Sequence, residues 1–369
     1  MIIPNDEVRR PSGPRRLVFA GEAIVDVVMR IPALPPRGGD VLAESSEVTA
    51  GGGFNVMAAA ARQGLPVLYA GGHGTGPWGD VVRAALAAEG IGLLRPADPD
   101  RDTGFDVAFV EPDAERTFVT HLGAEAVRGP AAWDEVAAEP GDAVYVSGYG
   151  LVAPDSGPGL GDWAAALPSG VLLFVDPGPM VAQIPAPVLD PVLARCDWLS
   201  CNQREAAILA GLGPADGPAL SGAGANGAVA NGASASGTGA GGTEAGGTGT
   251  SGTGAADGTG NPAETARRLL ARGAAANVLV RAGGAGCYAA LPAYPDAVHV
   301  RVPRVNAVDT TGAGDAHSGA FLAALAEGLS PLGAVARANA AAAFSVTRPG
   351  PATSPTRAQL DAWSSDARD

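Results

Sequence analysis

The stretch VDTTGAGDAHSGAFLAAL, Val308 to Leu325, places two threonines, two glycines and two aspartates directly before an apolar run. The run reads as a buried helix that opens near Asp315. A helix N-terminus exposes unpaired N–H groups and a partial positive charge. Gly312, Ala313 and Gly314 lack bulky side chains, so the backbone there can approach a bound anion closely. An aspartate in the first helical turn is then placed to accept a proton from a hydroxyl held beside it. A carboxylate base and an amide-lined anion pocket are the two parts that phosphoryl transfer needs. The simpler reading makes Asp315 a helix cap, but a cap does not call for so many residues without side chains.

Working outward, apolar strand-like runs alternate with helical ones along most of the chain. Leu17–Met29 reads as a buried strand interrupted at Gly21, and GGGFNVMAAAARQG as a glycine turn opening an Ala-rich helix that stops at Gly64. VLYAGG, AVYVSG and VLLFVDPG are short strands; DVVRAALAAEG, ETARRLLARG and the run after Asp315 are helices. Such alternation predicts an α/β fold, a mostly parallel sheet flanked by helices. FDVAFVEPDAERTFVTHL breaks the pattern and reads as a hairpin, the basis of a separate small β-sheet. Between 213 and 261 the composition collapses to Gly, Ala, Ser, Thr and Asn. Burial there cannot offset the entropy of ordering, so a disordered surface insertion is expected. Residues 1–16 read as a flexible tail and 17–369 as the folded domain.

Composition narrows the function. Of 369 residues 46% are hydrophobic, enough for a substantial core. A formal net charge of -14 repels polyanions, and no basic cluster makes a local exception, which argues against nucleic acid as a partner. Cys196, Cys201 and Cys287 form no CxxC pair and no disulfide framework, so a reducing, cytoplasmic setting is expected. No uncharged apolar run long enough to cross a membrane occurs, and the N-terminus lacks a signal-peptide core. The four histidines have no metal-ligand spacing. A small molecule is the expected partner.

The motifs together resemble those of the ribokinase-like (PfkB) carbohydrate kinases. DTTGAGDAHSGAF is similar to the C-terminal signature of that family, and AGGGFNVMAAAARQG followed by Gly74 to its N-terminal signature. Asn202–Glu205 resembles the family N-x-x-E motif, Asp176–Pro179 a family loop, and ANAAAAFSVTRPG the family tail. The resemblance covers about Leu17 to Trp363 outside the low-complexity insertion. It implies ATP-dependent phosphorylation of a sugar hydroxyl with Mg²⁺, and in some members an activating monovalent cation such as K⁺. It assigns Asp315 as base and Gly312, Ala313 and Gly314 as anion hole. It gives Asp26, at the end of the first strand, together with Gly52, Gly53 and Asn55, to the sugar. Asn202 and Glu205 match residues that organise magnesium and phosphates. Arg281, in a RAGGAG segment with Gly283 and Gly286, stands where the family places a phosphate-contacting stretch, and Asn339 falls near the adenine pocket. Asp309 and Thr311 match the monovalent-cation position. The resemblance also implies a lid from about 27–50 and 101–123 with the hairpin at its centre, and in some members a homodimer through that lid.

Family members act on ribose, fructose, ketogluconates or nucleosides, so the motifs specify the reaction and leave the acceptor open. A nucleoside kinase of the same fold is the first alternative. Gly74, Gly76 and Gly79 also spell G-x-G-x-x-G between a strand and a helix, with Asp98 further on. That raises an NAD-dependent dehydrogenase as a rival, although Pro77 and Trp78 crowd a turn that should approach pyrophosphate. A sugar sensor without catalysis is a third reading, and an intact Asp315 argues against it. The bland readings are a strand-end Asp26, a capping Asn55, a Glu205 favoured only by the helix dipole, a packing His317 and buried thiols at Cys196 and Cys201.

Overall fold

The computed structural model describes residues 13–112, 116–126, 130–212 and 260–366. The insertion read at 213–261 lies outside the described residues except for Gly260 and Asn261, and so does the tail before Gly13. In chain order the strands and helices open with β1 (Arg16–Ala20), β2 (Ala23–Arg30), β3 (Ser45–Gly52), α1 (Phe54–Arg62), β4 (Val67–Tyr69) and α2 (Pro77–Ala88). Then come β5 (Gly92–Leu93), β6 (Phe105–Val110), β7 (Arg116–His121), β8 (Asp142–Ser147), α3 (Gly148–Val152) and α4 (Gly157–Ala165). They continue through β9 (Leu172–Asp176), α5 (Ala186–Arg195), β10 (Trp198–Asn202), α6 (Gln203–Leu209), α7 (Pro262–Ala271) and β11 (Asn277–Arg281). The chain closes with β12 (Cys287–Ala290), β13 (Val298–Val300), α8 (Ala313–Ala326), α9 (Pro331–Ser345) and α10 (Arg357–Asp366).

Nine strands form the main sheet in the order β13-β12-β11-β10-β9-β8-β1-β4-β5. It is parallel from β11 to β5; β12 runs against these strands, pairing antiparallel with both β11 and β13. Its strands are apolar on both faces because helices cover both. Leu17, Phe19 and Tyr145 pack with α1, α2, α8 and α9, while Val18, Ala20, Val144 and Val146 pack with α4, α5, α6 and α7. The two-residue period of each strand thus divides one apolar run between two cores.

The remaining strands form a small sheet in the order β3-β2-β6-β7. Two expectations change here. Leu17–Met29 is not one strand: Gly21 and Glu22 separate β1 in the main sheet from β2 in the small one. The β6–β7 hairpin forms one side of the small sheet, and the centre is the parallel β2–β6 pair. β1 also begins at Arg16, whose guanidinium pairs with the buried Asp142 at 2.8 Å, so the tail boundary falls earlier than residue 16.

Candidate active site

Parallel strands deliver their C-terminal ends to one edge of a sheet, where open α/β folds bind ligands. Here Arg281 ends β11, Asn202 ends β10, Asp176 ends β9 and Ser147 ends β8, with Glu22 two residues past β1. The N-terminus of α8 belongs to the same crevice, since the Cβ position of Gly314 lies 3.5 Å from Arg281 Nη2.

Gly312 is the N-cap of α8 with φ 70°, a left-handed conformation that β-carbon-bearing residues rarely adopt. Asp315 does not cap the helix. Its Oδ2 instead accepts from Asn55 Nδ2 at 3.3 Å, across 260 residues of sequence. Burial and the neighbouring Asp176 push the Asp315 carboxyl up to about 6, with Asn55 and Arg281 opposing. Asn55 is not a cap either: the N-cap of α1 is Gly53, without a side-chain bond. The Asn55 Oδ1, buried beside Asp315, has no hydrogen-bond partner among the described residues.

The small sheet faces this helix end with alternate residues. Asp26 and Asp106 are register partners on β2 and β6, and Arg116 on β7 pairs in register with Val110, on the same face as Asp106. Asp26 therefore sits mid-strand in β2, not at the end of the first strand. Gly51, diagonally opposite, leaves room for it: a β-carbon there would lie 2.0 Å from Asp26 Oδ1. Burial, then Asp106 and Asp315, raise the Asp26 carboxyl to about 7, so Asp26 and Asp315 lie within electrostatic reach of each other. Gly52 ends β3, and Gly53 N donates to Glu22 O at 2.9 Å.

On the other flank, Asn202 and Glu205 form a reciprocal capping box at the start of α6. Asn202 Oδ1 accepts from Glu205 N at 2.9 Å and Glu205 Oε2 accepts from Asn202 N at 2.7 Å. Arg281 lies beneath α8, 2.6 Å from Asp176 Oδ2 and 3.8 Å from Glu205 Oε2, and donates to Ser200 and Ser318. Burial disfavours its charge, but the two acids outweigh this and raise its pKa. The fork expected to meet phosphate is therefore engaged by protein carboxylates. Gly283 opens an exposed turn and Gly286 closes it against Val300. Asn339 Nδ2 donates to the carbonyls of Val300 and Arg301 at 2.8 and 3.3 Å, so Gly286 and Asn339 meet at Val300 while the Asn339 amide supports a loop. His317 is buried, and burial lowers its pKa to about 3, which keeps the ring neutral. The three thiols are buried and free.

Asp309 and Thr311 do come together: Asp309 Oδ1 accepts from Thr311 N at 2.9 Å and from its hydroxyl at 2.6 Å. Gly350 N donates to Asp309 Oδ2 at 3.0 Å, and Arg116 completes the set with an ion pair to Oδ1. Burial works against the charge, yet the bonds from Thr311, Gly350 and Arg116 hold the carboxyl well below its ordinary range. Both oxygens thus have donors, and Arg116 already supplies positive charge beside Oδ1.

The G-x-G-x-x-G turn is closed to a pyrophosphate. Asp102 places its carboxylate at the N-terminus of α2, accepting from Trp78 N at 3.0 Å and Gly79 N at 2.8 Å. A cavity of about 600 Å³ lined by Trp78, Arg101, Thr103, Phe105 and His121 lies beside it and includes none of the residues assigned above. Among the described residues no group of acidic, histidine or cysteine side chains could hold a metal by itself, and no helix is long and apolar enough to cross a membrane.

Sequence reasoning assigned no role to Glu22, Asp106 or Arg116. For Asp106 a signal existed: FDVAFV alternates, and a carboxylate at a buried strand position is costly without partners, the argument applied to Asp26.

The pfkB family carbohydrate kinase model matches residues 14–226 and 252–358. An uncharacterized sugar kinase, YegV of Escherichia coli K12, is 32% identical over 353 residues, covering 93% of this chain and 92% of its own. Arabidopsis thaliana ribokinase, solved with ribose and ATP, superposes with a TM-score of 0.66 at 21% identity, over 95% of this chain and 98% of that one. A nucleoside kinase of Methanocaldococcus jannaschii gives 0.67 at 15%, over 95% and 98%. The chain is a member of the pfkB family of carbohydrate kinases.

Proposed function

We propose that the protein transfers the γ-phosphoryl group of ATP to a hydroxyl of a sugar or sugar-like substrate, with Asp315 as the general base. The Asn55–Asp315 hydrogen bond carries this reading, because it joins the two signature segments at one helix end. The sugar lies between the small sheet and α8, oriented by Asp26, Asn55 and the Gly52–Gly53 turn. Asp315 takes the proton of the attacking hydroxyl, and the amides from Gly312 to Gly314 stabilise charge on the transferred group. The small sheet acts as a lid that excludes water, which otherwise competes for the phosphoryl group.

ATP occupies the flank of Asn202, Glu205, Gly283 and Gly286, with Asn339 holding the loop wall. Arg281 anchors Glu205 and Asp176 and lends positive potential to the anion hole from below. Mg²⁺ would come with the nucleotide, would be held by Glu205 or Asn202 through water, and would neutralise phosphate charge. A nucleoside presents the same ribose hydroxyls and is the second reading.

An ATP-consumption screen across sugars and nucleosides, with wild type and Asp315→Asn, tests the proposal. The variant should lose about 10²–10⁴-fold in turnover while nucleotide affinity stays within a few-fold. Near-normal turnover would remove Asp315 from the role of base, and NADH binding without ATP binding would restore the dehydrogenase reading.

A further inference from the structure

Three buried side-chain oxygens around the proposed sugar site have no hydrogen-bond partner among the described residues: Asn55 Oδ1, Glu22 Oε2 and Asp106 Oδ1. Asn55 is 7% exposed and Asp106 9%. Orphaned acceptors at such depth are rare and costly. Each belongs to a residue that neighbours one already placed at the crevice. Asn55 bonds to Asp315, and Asp106 stands beside Asp26 in strand register. Glu22 Oε1 accepts from Ser147 Oγ at 3.2 Å at the end of β8, which leaves Oε2 open.

The titratable side chains named around them are acids. Glu22 and Asp26 lie within electrostatic reach of Asp315, and Asp26 of Asp106; burial raises each carboxyl, Glu22 to about 8 and Asp106 to about 6. Glu125 is nearby, but its oxygens already accept from Gly104 N and Gly123 N, so it closes a turn. Arg116 and Arg281 are committed, Arg116 to Asp309 and Arg281 to Asp176. An acceptor-rich pocket calls for a ligand made of donors. A ligand carboxylate would meet like charge from Asp106 and Asp315, whose carboxyls, at about 6, are ionised at neutral pH.

Resting on the sugar-kinase reading, we propose that Glu22 and Asp106 are specificity-determining residues that accept hydrogen bonds from substrate donors, so that the enzyme takes an uncharged or amino-bearing polyhydroxylated substrate and rejects sugar acids. Asp106 and Asp26 hold donors on the face of the small sheet. Glu22 and Asn55 hold donors on the face of the main sheet, and Asp315 receives the hydroxyl that reacts.

The test is a matched substrate panel in which aldoses, ketoses and polyols are each set against the corresponding aminodeoxy sugar and sugar acid. Phosphorylation is followed by ATP consumption for wild type, Glu22→Gln, Asp106→Asn and Asp106→Ala. The wild type should favour the uncharged or amino member over the acid by at least about tenfold in kcat/KM, a difference of about 1.4 kcal/mol. Asp106→Asn, which keeps the shape and removes the charge, should raise the sugar KM, narrow the discrimination against the acid and leave the KM for ATP unchanged. Wild-type preference for a sugar acid overturns the proposal with or without a folded variant, as does an Asp106→Asn enzyme with unchanged sugar KM and discrimination. Absence of phosphorylation across the whole panel overturns the kinase reading and this inference together; preference for the acid overturns this inference alone.

Discussion

Asn55 on the first turn of α1 and Asp315 on the first turn of α8 stand 3.3 Å apart, amide nitrogen to carboxylate oxygen. That bond stabilises the ionised acid and lowers its pKa against the effect of burial. Asn55→Ala should therefore move the acid limb of the rate profile upward from about 6, by roughly one pH unit, the equivalent of one charge-assisted hydrogen bond. The sugar KM should rise as well. A profile that keeps its midpoint would show that the bond does not form in the working enzyme.

Arg281 lies between Asp176 and Glu205 under the helix end. Arg281→Met leaves two buried acids without their counter-charge, a loss of about 3–5 kcal/mol by analogy with other broken buried pairs. Urea unfolding of the variant should show a fall of that order, and Arg281→Lys an intermediate one. A variant as stable as wild type would mean that the acids pick up protons and tolerate the loss.

Arg116 crosses from β7 to Asp309 in the loop that leads into α8. Since it supplies positive charge at that carboxylate, the wild-type rate should stay flat when potassium replaces a bulky organic cation at constant ionic strength. Arg116→Ala should make the rate rise with potassium. A wild-type rate that climbs with potassium would show the ion displacing the guanidinium.

Stability should change with pH in an unusual direction. Glu22 and Asp26 have folded pKa values of about 8 and about 7, above their unfolded values near 4. Between those limits the native state binds more protons than the unfolded chain, so unfolding free energy falls as pH rises. His317, kept neutral by burial, opposes this below about 6.5. Melting temperature should therefore fall clearly from pH 6.5 to 8, and Glu22→Gln should flatten that slope. A melting temperature that rises over this range would contradict it.

Much of the fold could be read from residue order. The helix after Asp315, the glycine turn before α1 and the helix–strand alternation follow from period and punctuation. The interruption at Gly21 could be read too, but the change of partner across it, from β4 and β8 to β3 and β6, could not, because both halves are apolar. The site divided in the same way. Asp315, Asn55 and Asp26 sit in motifs with their own local logic. Arg281 keeps its place in the crevice but faces Asp176, which is 105 residues away in sequence. Arg116 reaches an acid 193 residues away. No local pattern encodes pairings of that range.

The passage from the large sheet to the small one at β1–β2 is two residues long, and Glu22 is one of them. Its side chain is tied to Ser147 and its carbonyl to Gly53. If the small sheet closes as the proposed lid, this tethered connection is one of its hinges, beside the proposed sugar site. Motion and grip share a hinge, so loosening it would alter turnover and substrate affinity in step.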